Sequence, residues 1–190
     1  PFFSGNKYYK LKYNLLESEN LNKKIILTFG GAYSNHIAAT AFAANEKGFK
    51  SIGIIRGEET LPLNDTLSFA KENGMELHYV SRQEYRKKNT DNFIEKLKDK
   101  FGDFYLIPEG GSNKLAIKGT QEILDKNDTQ NFICTAIGTG STISGIVNSS
   151  SENQKVLGFP AIKGSEDLEK DISSWTNKQN WKLINDYHFG

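Results

Sequence analysis

Two short segments of the sequence carry residue types that do chemistry, and each follows a run of apolar residues. The first is "GGAYSNH", residues 30–36, which places a serine, an amide and an imidazole in a row after two glycines. The second is "GTGST", residues 138–142, which combines glycines with hydroxyl side chains. Ligands of open parallel α/β sheets bind in the loops that lead from strand ends into helices. The sequence therefore indicates two candidate ligand-binding loops.

The second of these segments is suited to binding a phosphate. At a helix N-terminus, unpaired backbone N–H groups and the positive end of the helix dipole favour an anion. Gly138 and Gly140 let the backbone approach a ligand closely, and Thr139, Ser141 and Thr142 can donate hydroxyl hydrogen bonds. The alternative interpretation is a tight structural turn between a strand and a helix.

Neither a dinucleotide nor an ATP site is favoured. The dinucleotide fingerprint needs a third glycine where Ile143 stands, and the next apolar run ends at Phe159 and Pro160 rather than at an acidic residue. The Gly-Lys-Ser/Thr sequence of a P-loop is absent.

Another polar segment, "SGNKYYKLKYN" (residues 4–14), places Lys7 directly after Gly-Asn. Taken alone, this lysine is most simply explained as a solvent-facing residue.

The elements that must position these residues alternate between apolar, β-branched runs and segments with helical periodicity. The predicted strands are residues 24–29, 51–56, 75–80, 103–107, 131–137, 155–159 and 181–185. The predicted helices are residues 34–48, 64–74, 90–102, 112–126, 140–150 and 165–175. This alternation predicts an α/β fold with open parallel sheets flanked by helices. The strands 51–56 and 131–137 are apolar on both faces, so we expect them inside a sheet.

Composition narrows the class of protein. The chain has 24 basic and 23 acidic residues in 190, a net charge of +1, which favours neither nucleic acid nor an anionic membrane as partner. No apolar run approaches the roughly 20 residues of a membrane span, and no signal-peptide pattern is present. With Cys134 as the only cysteine, these features predict a cytoplasmic protein with a small-molecule partner. Because the chain begins at Pro1 and ends on a strand-like run, we expect it to be truncated at both ends.

As a whole, the sequence resembles the pyridoxal-phosphate (PLP) enzymes of the tryptophan-synthase-β fold type, or fold type II. Within them it resembles the 1-aminocyclopropane-1-carboxylate deaminase and D-cysteine desulfhydrase family. The matching segments are "GNKYYKLKYNLL", "TFGGAYSNHIAATAFAA", "LIPEGGSNKLAIKG" and "AIGTGSTISGI". They follow the family's order and approximate spacing, and the resemblance runs through essentially all of the chain.

The resemblance implies a role for each candidate site residue. Lys7 would form the Schiff base with pyridoxal 5'-phosphate and, as a neutral amine, would carry the proton at the reacting carbon. Asn35 would hydrogen-bond the phenolic oxygen of the cofactor, and residues 138–142 would bind its phosphate. Ser34 would bind the substrate carboxylate or assist proton transfer, and His36 would line the same cleft. For Ser34 and His36, a helix cap and a first-turn residue are the structural alternatives. No metal is implied.

The resemblance also implies two domains with the cofactor between them. Residues 21–118 would form a small α/β domain, and residues 1–20 with 119–190 would belong to a large PLP-binding domain whose C-terminal part is missing. In the segment "IPEGGSN", Gly110 and Gly111 would shape a loop facing the active site, and Ser112 would cap the following helix. Family members are usually homodimers, so a homodimer is expected for the full-length protein.

The implied activity is that of a deaminating lyase acting on a small amino acid. It would be either a D-cysteine desulfhydrase-like β-elimination or a 1-aminocyclopropane-1-carboxylate deaminase-like ring opening. His36 favours elimination, because ring-opening members tend to have glutamine there. Tyr9 and Ala38 replace arginines of the family and Thr120 replaces an aromatic residue, so the substrate stays open. The alternatives are another fold type II enzyme such as a serine/threonine dehydratase, a PLP-binding protein without turnover, and a nucleotide-binding α/β domain.

Overall fold

The structure, a computed structural model, describes residues 4–161 and 166–187. The chain divides into two compact units, Pro1–Gly111 and Ser112–Gly190. The elements of the first unit are α1 (Gly5–Asn20), β1 (Ile25–Gly31), α2 (Asn35–Glu46), β2 (Lys50–Arg56), α3 (Asp65–Glu72), β3 (Met75–Val80), α4 (Arg82–Tyr85), α5 (Asp91–Phe101), β4 (Tyr105–Ile107) and a 3-10 turn at Glu109–Gly111.

The second unit contains four helical segments and three strands in its described residues. They are α6 (Lys114–Thr120), a 3-10 turn at Gln121–Ile123, β5 (Phe132–Ile137), α7 (Ser141–Ser149), β6 (Lys155–Pro160), α8 (Glu166–Trp175) and β7 (Trp181–Leu183). All seven predicted strands are found within a few residues of their predicted ends. The predicted helix 165–175 is α8, and its first residue, Ser165, lies outside the described residues.

Both sheets are parallel, which confirms the predicted α/β architecture. The first has the strand order β3-β2-β1-β4 and the second the order β5-β6-β7. Parallel neighbours need crossover connections, and the helical segments between the strands supply them. The carboxyl ends of β1 and β5 lead into α2 and α7, so each candidate loop lies at a strand-to-helix junction.

The sheet of the first unit is buried on both faces because its central strands are apolar at successive positions. On one face Leu27 and Phe29 pack with Ile54 and with Tyr85 and Leu97 of α4 and α5. A second cluster joins Ile26 to apolar residues of α1 and α2, Leu11, Leu15, Ala39, Ala43 and Ala44. Burial of each large side chain contributes about 1.5–3 kcal/mol, so β1 is held firmly where it ends in the first candidate loop.

Among the described residues, strand 51–56 lies in the sheet interior as predicted, whereas strand 131–137 lies at a sheet edge. β5 forms the edge of its sheet, and one of its faces is exposed at Phe132, Cys134 and Ala136. The strand is apolar on both faces, but no described element covers the outward face. Apolar composition therefore identified the strand correctly without identifying its neighbours.

Two of the predicted helix caps are found, and at a third helix the neighbouring residue is the cap. Ser34 and Asn64 cap α2 and α3 through their side-chain oxygens, as helix-start residues should. The prediction that Ser112 caps α6 was wrong, because Asn113 is the cap and its Oδ1 accepts the Ala116 N–H at 2.8 Å. The Ser112 hydroxyl bonds elsewhere, at the second candidate loop.

The first compact unit includes α1, because Leu11 and Leu15 pack against β1 and α2. The division expected from the family, with residues 1–20 assigned to a large domain, stays a prediction. Among residues 4–161 and 166–187, no helix is both long enough and apolar enough to span a membrane.

Candidate functional site

The first candidate loop leaves β1 through Gly30 and Gly31 and enters α2 at Asn35. Ser34 has extended backbone angles and its Oγ accepts the Ile37 N–H at 3.4 Å, while its own N–H donates to Gly31 O at 3.1 Å. Ser34 is half-buried and Asn35 is exposed. The loop thus presents a hydroxyl and an amide at the positive end of a helix dipole, where an anion is favoured.

Two lysines of α1 lie one helical turn apart, in the same unit. Lys7 is half-buried, and burial lowers its pKa from the ordinary value for a lysine. Lys10 is only 3% exposed and donates to the carbonyl oxygen of Gly110 at 3.0 Å. Burial, with the charge of Lys7 as a smaller contribution, lowers the pKa of Lys10 to about 7. Both amines therefore release their protons more readily than surface lysines do.

His36 is buried in the same unit with an exposed fraction of 2%. Its Nε2 lies 2.8 Å from the Oγ1 of Thr28 on β1. Burial, with the charges of Lys7 and Lys10 as smaller contributions, lowers the pKa of His36 to about 3. The imidazole is thus neutral at physiological pH and lies within electrostatic reach of both lysines.

The 138–142 loop has a different character, since it contains no ionisable side chain. Gly140 has a positive φ of 82° and is the N-cap of α7, so the capping position itself has no side chain to accept from the first-turn amides. Gly138 is exposed, Thr139 is half-buried, and Ser141 and Thr142 are buried. Backbone geometry and hydroxyls, rather than charge, are what this loop offers to an anion.

Two residues of the same unit brace that loop. The Ser112 hydroxyl donates to Thr139 Oγ1 and lies 2.9 Å from Ser141 Oγ. The Thr120 hydroxyl, fully buried, lies 3.0 Å from Ser141 O, which it can reach as a donor. Thr120 also fills the space beside Gly145, where an added Cβ would lie 2.0 Å from the Thr120 Oγ1. The small hydroxyl residue at position 120 therefore fits the close approach of α6 and α7.

The structure thus collects the predicted site residues in two sets. In the first unit Lys7 and His36 interact electrostatically, and Ser34 and Asn35 immediately precede His36 in the chain. In the second unit the residues predicted to bind phosphate form one loop, Gly138, Thr139, Gly140, Ser141 and Thr142. Their roles in binding cofactor and substrate stay predictions.

Sequence reasoning missed two buried polar residues beside the first set. Lys10 follows Lys7 by three positions, a spacing that puts both on one helix face and could have identified it. Thr28 lies within the apolar strand of β1, where a hydroxyl is compatible with ordinary packing and gives no distinctive pattern. Its hydrogen bonds join it to residues 8 and 79 positions away along the chain.

Comparisons with known proteins find relatives of one kind. No family model matches the chain. The chain is 36% identical over 153 residues to a putative 1-aminocyclopropane-1-carboxylate deaminase of Thermotoga maritima, a match that spans 75% of this chain and 48% of the relative. It is 33% identical over 162 residues to the bifunctional D-cysteine desulfhydrase/1-aminocyclopropane-1-carboxylate deaminase, mitochondrial, of Arabidopsis thaliana, covering 75% of this chain and 40% of that protein. The chain thus spans about half the length of these curated relatives, or less.

The fold agrees with these sequence matches. A crystal structure described as an ACC deaminase homologue superposes with a TM-score of 0.81 at 22% identity, covering 97% of this chain and 62% of that one. At that identity the superposition shows the fold, and the sequence matches show the relationship. By its sequence and its fold, the chain belongs to the fold type II family of 1-aminocyclopropane-1-carboxylate deaminase and D-cysteine desulfhydrase.

Proposed function

We propose that the full-length protein is a PLP-dependent lyase that deaminates a small amino acid. The observation that carries the proposal is the environment of Lys7, a half-buried amine at the start of α1 whose pKa burial lowers. A lysine must be neutral to attack a carbonyl carbon. Most surface lysines are protonated at neutral pH and are poor nucleophiles, so this one is suited to hold an aldehyde cofactor.

The residues present fit that cofactor in each unit taken separately. Lys7 would hold the aldehyde carbon, and Asn35, exposed at the start of α2, would hydrogen-bond the phenolic oxygen. The loop Gly138–Thr142 would hold the phosphate, since the N-cap residue of α7, Gly140, has no side chain to compete for the amides. When bound, pyridoxal phosphate supplies an electron sink for the pair of electrons left by the α-proton.

The remaining work falls to side chains of this chain. Lys7, once released from the cofactor, would take the α-proton of the substrate at its Nζ, because its pKa is lowered towards the working pH. Ser34 and the backbone amides at the start of α2 would orient the substrate carboxylate. A fixed carboxylate holds the breaking C–H bond in one orientation, which is the main contribution that a protein makes to this chemistry.

For the substrate, we propose a D-cysteine-like amino acid that loses a β-substituent. His36 stands where ring-opening members of the family tend to have glutamine, and one curated relative bears both activities in its name. Opening of 1-aminocyclopropane-1-carboxylate is the second candidate, supported by the name of the Thermotoga maritima relative. Small changes in the residues around the carboxylate can redirect such an enzyme, since both reactions start from an amino acid bound in the same site.

The test uses the full-length protein. Its visible spectrum is recorded with pyridoxal phosphate, the complex is reduced with borohydride, and the labelled peptide is mapped. We expect a visible cofactor band and a label on Lys7, with Lys12→Gln on the exposed side of the same helix as an unaffected control. No band, or a label on another lysine, would overturn the proposal.

Product analysis then separates the candidate substrates. Sulfide and pyruvate released from D-cysteine support elimination, and 2-oxobutanoate released from 1-aminocyclopropane-1-carboxylate supports ring opening. Ammonia from serine or threonine alone would instead indicate a dehydratase. A labelled Lys7 without product from any of these amino acids would indicate a cofactor-binding protein without turnover.

We also propose that the full-length protein acts in the cytoplasm as a homodimer. The absence of a membrane-spanning helix among the described residues is compatible with this location. Sedimentation of the full-length protein at several concentrations measures the oligomeric state, and fractionation of cells measures the location. A monomer at all concentrations would contradict the proposed homodimer.

A further inference from the structure

Thr28 lies in the middle of β1, is fully buried, and contacts two acceptor-capable atoms. Its Oγ1 is 2.8 Å from the carbonyl oxygen of Ile107 and 2.8 Å from the Nε2 of His36. A hydroxyl has one proton to donate, and a carbonyl oxygen can only accept. If the hydroxyl donated to the imidazole, two oxygen atoms would face each other at 2.8 Å with no proton between them.

One arrangement satisfies the Thr28 hydroxyl, the Ile107 carbonyl oxygen and the His36 Nε2 together. The Thr28 hydroxyl donates to Ile107 O and accepts from His36, whose Nε2 must then carry the ring proton. In a neutral imidazole the other nitrogen, Nδ1, is then a bare acceptor. The hydroxyl thereby connects β1, the end of β4 and the first turn of α2.

The bare nitrogen of His36 is buried and has no hydrogen-bond partner among residues 4–161 and 166–187. The Cε1–Nδ1 edge of the ring lies against Gly111, where an added Cβ would come within 3.1 Å of Cε1 and 3.4 Å of Nδ1. Gly111 has a positive φ of 71°, which favours glycine there on its own account. The same loop is held by the bond from Lys10 to Gly110 O. A buried acceptor without a donor lowers the stability of the folded protein.

We infer that Thr28 is a positioning residue that fixes His36 in its Nε2–H tautomer, so that the ring presents Nδ1 as a hydrogen-bond acceptor. Such an acceptor is complementary to an N–H group of an amine or ammonium. It repels a carboxylate, which also carries only lone pairs. Given the proposed function, the buried ring would act on the site through the Gly110–Gly111 loop against which its Nδ1 edge lies, and the substrate carboxylate would fall to Ser34 and the amides of α2.

Electrostatics keeps the nitrogen bare. Burial, with the charges of Lys7 and Lys10 as smaller contributions, holds the pKa of His36 near 3, so Nδ1 stays unprotonated at neutral pH. A glutamine at this position could turn its amide and offer either an N–H or an oxygen. The His36 ring is held by its hydrogen bond to Thr28 and cannot turn in this way. It therefore discriminates more strongly between hydrogen-bond donors and acceptors.

Nuclear magnetic resonance of the full-length protein with ring-¹⁵N-labelled histidine tests the inference. The chain has three histidines, and the signal lost in His36→Gln identifies that of His36, while His78 provides a less buried comparison. We expect two widely separated ring-nitrogen signals for His36, with the proton on Nε2 and no titration through the range where ordinary histidines titrate. A proton on Nδ1, or titration of His36 near neutral pH, would overturn the inference.

Two substitutions at position 28 separate positioning from packing. Thr28→Ser keeps the hydroxyl and should keep the wild-type nitrogen signals. Thr28→Val keeps the shape but removes the acceptor, so the two signals should move towards each other as the tautomers mix. Unchanged signals in Thr28→Val would contradict the inference.

The kcat/KM values of the same variants test whether the position of His36 matters for activity. We expect kcat/KM to fall about 10-fold or more in Thr28→Val, as for other residues that orient a site imidazole, and to recover in Thr28→Ser. Equal values in Thr28→Val and the wild type would contradict the role in positioning. The nitrogen signals need no turnover, so a protein that shows the expected tautomer but no activity would refute the proposed function and leave the inference intact.

Discussion

The loops after β1 and β5 occupy equivalent positions in two parallel sheets, yet they offer ligands different chemistry. The first lies in a unit where Lys7, Lys10 and His36 interact, and burial lowers the pKa of all three. The second, Gly138–Thr142, has no ionisable side chain and is braced by hydroxyls. Glycine and serine at a strand end therefore specify a loop geometry but not its function. Neighbouring elements decide whether the loop handles protons or holds an anion.

The helix caps show the same difference. The Ser34 Oγ accepts a hydrogen bond from the Ile37 N–H of α2. This N–H is therefore less available to a ligand. α7 begins at Gly140, which has no side chain to compete for the amides of the first turn. A helix start that lacks its own cap is suited to a ligand anion, whereas a capped start mainly orients the side chains that follow it.

The largest expected effect is the loss of activity on substitution of Lys7, which lies in the same unit as the first loop. Lys7→Gln should abolish the covalent link to the cofactor and lower kcat by about 10²–10⁴, the usual contribution of a proton-transferring group. Lys12→Gln, on the exposed side of the same helix, should change kcat little. Steady-state kinetics with the amino acid identified by the product screen measures both. Equal losses in the two variants would mean that the position of Lys7 has no special importance.

The next effect concerns the pH dependence of stability. The folded-state pKa of Lys10 is about 7, below the ordinary value of 10.5 that applies to the unfolded chain. Between these values the unfolded state binds more protons, so the free energy of unfolding should rise with pH, by at most about 1.4 kcal/mol per pH unit. Below about pH 7 the penalty for burying the charged amine is present in full, and above about pH 10.5 it is absent.

Lys10→Met should remove that rise, because the substituted side chain fills similar space without a titrating group. Denaturant unfolding at a series of pH values measures the difference between this variant and the wild type. Lys12→Met, exposed on the same helix, should keep the wild-type slope. Parallel curves for the wild type and Lys10→Met would show that the buried amine of Lys10 does not govern the pH dependence.

A smaller effect is expected in the second loop, at its two glycines. Gly140→Ala forces a side chain into a left-handed conformation with φ of 82° and brings Cβ to 3.3 Å from Ile172, so unfolding should become easier by about 1–2 kcal/mol. Gly138 has nothing within 4 Å of an added Cβ, and Gly138→Ala should leave stability nearly unchanged. Thermal or urea unfolding measures both. Equal destabilisation would mean that the left-handed backbone conformation of Gly140 is not what distinguishes the two positions.

The sequence predicted the strands, their parallel arrangement and the position of both loops, because these depend on local periodicity and on strand-end chemistry. The edge position of β5 could not be predicted in this way. Its apolar residues meet the requirement for a buried strand, but the number of neighbours depends on elements elsewhere in the chain. The exchange of Ser112 and Asn113 has a similar cause. Both are good capping residues, and the choice depends on hydroxyl partners at Thr139 and Ser141 that lie 27 and 29 positions away.

Within the candidate site, the residues with recognisable spacing were found and the buried supporting residues were not. Lys7, Ser34 and Asn35 belong to motifs that can be identified by eye. Thr28 acquires its importance only through Ile107 and His36, which the fold brings to the two sides of one hydroxyl. Long-range hydrogen bonds of this kind leave no periodic pattern in a single sequence.

The smallest predicted effect compares two helix caps. Asn113 accepts the Ala116 N–H at 2.8 Å, whereas Ser34 accepts the Ile37 N–H at 3.4 Å, beyond the usual range for such bonds. Asn113→Ala should therefore cost about 1 kcal/mol of unfolding free energy, and Ser34→Ala should cost less. Urea unfolding of the two variants measures the difference.

Activity should respond in the opposite order. Ser34→Ala removes a hydroxyl proposed to orient the substrate carboxylate, so kcat/KM should fall by about 10-fold or more, as for a lost hydrogen bond to a charged group. Asn113→Ala should leave kcat/KM close to the wild-type value, because its side-chain oxygen serves the start of α6. Ser34 would be only a helix cap if its substitution lowered stability as much as that of Asn113 and left the kinetics unchanged. The loop after β1 would then differ from the loop after β5 in its ionisable neighbours alone, with no contribution from its own serine.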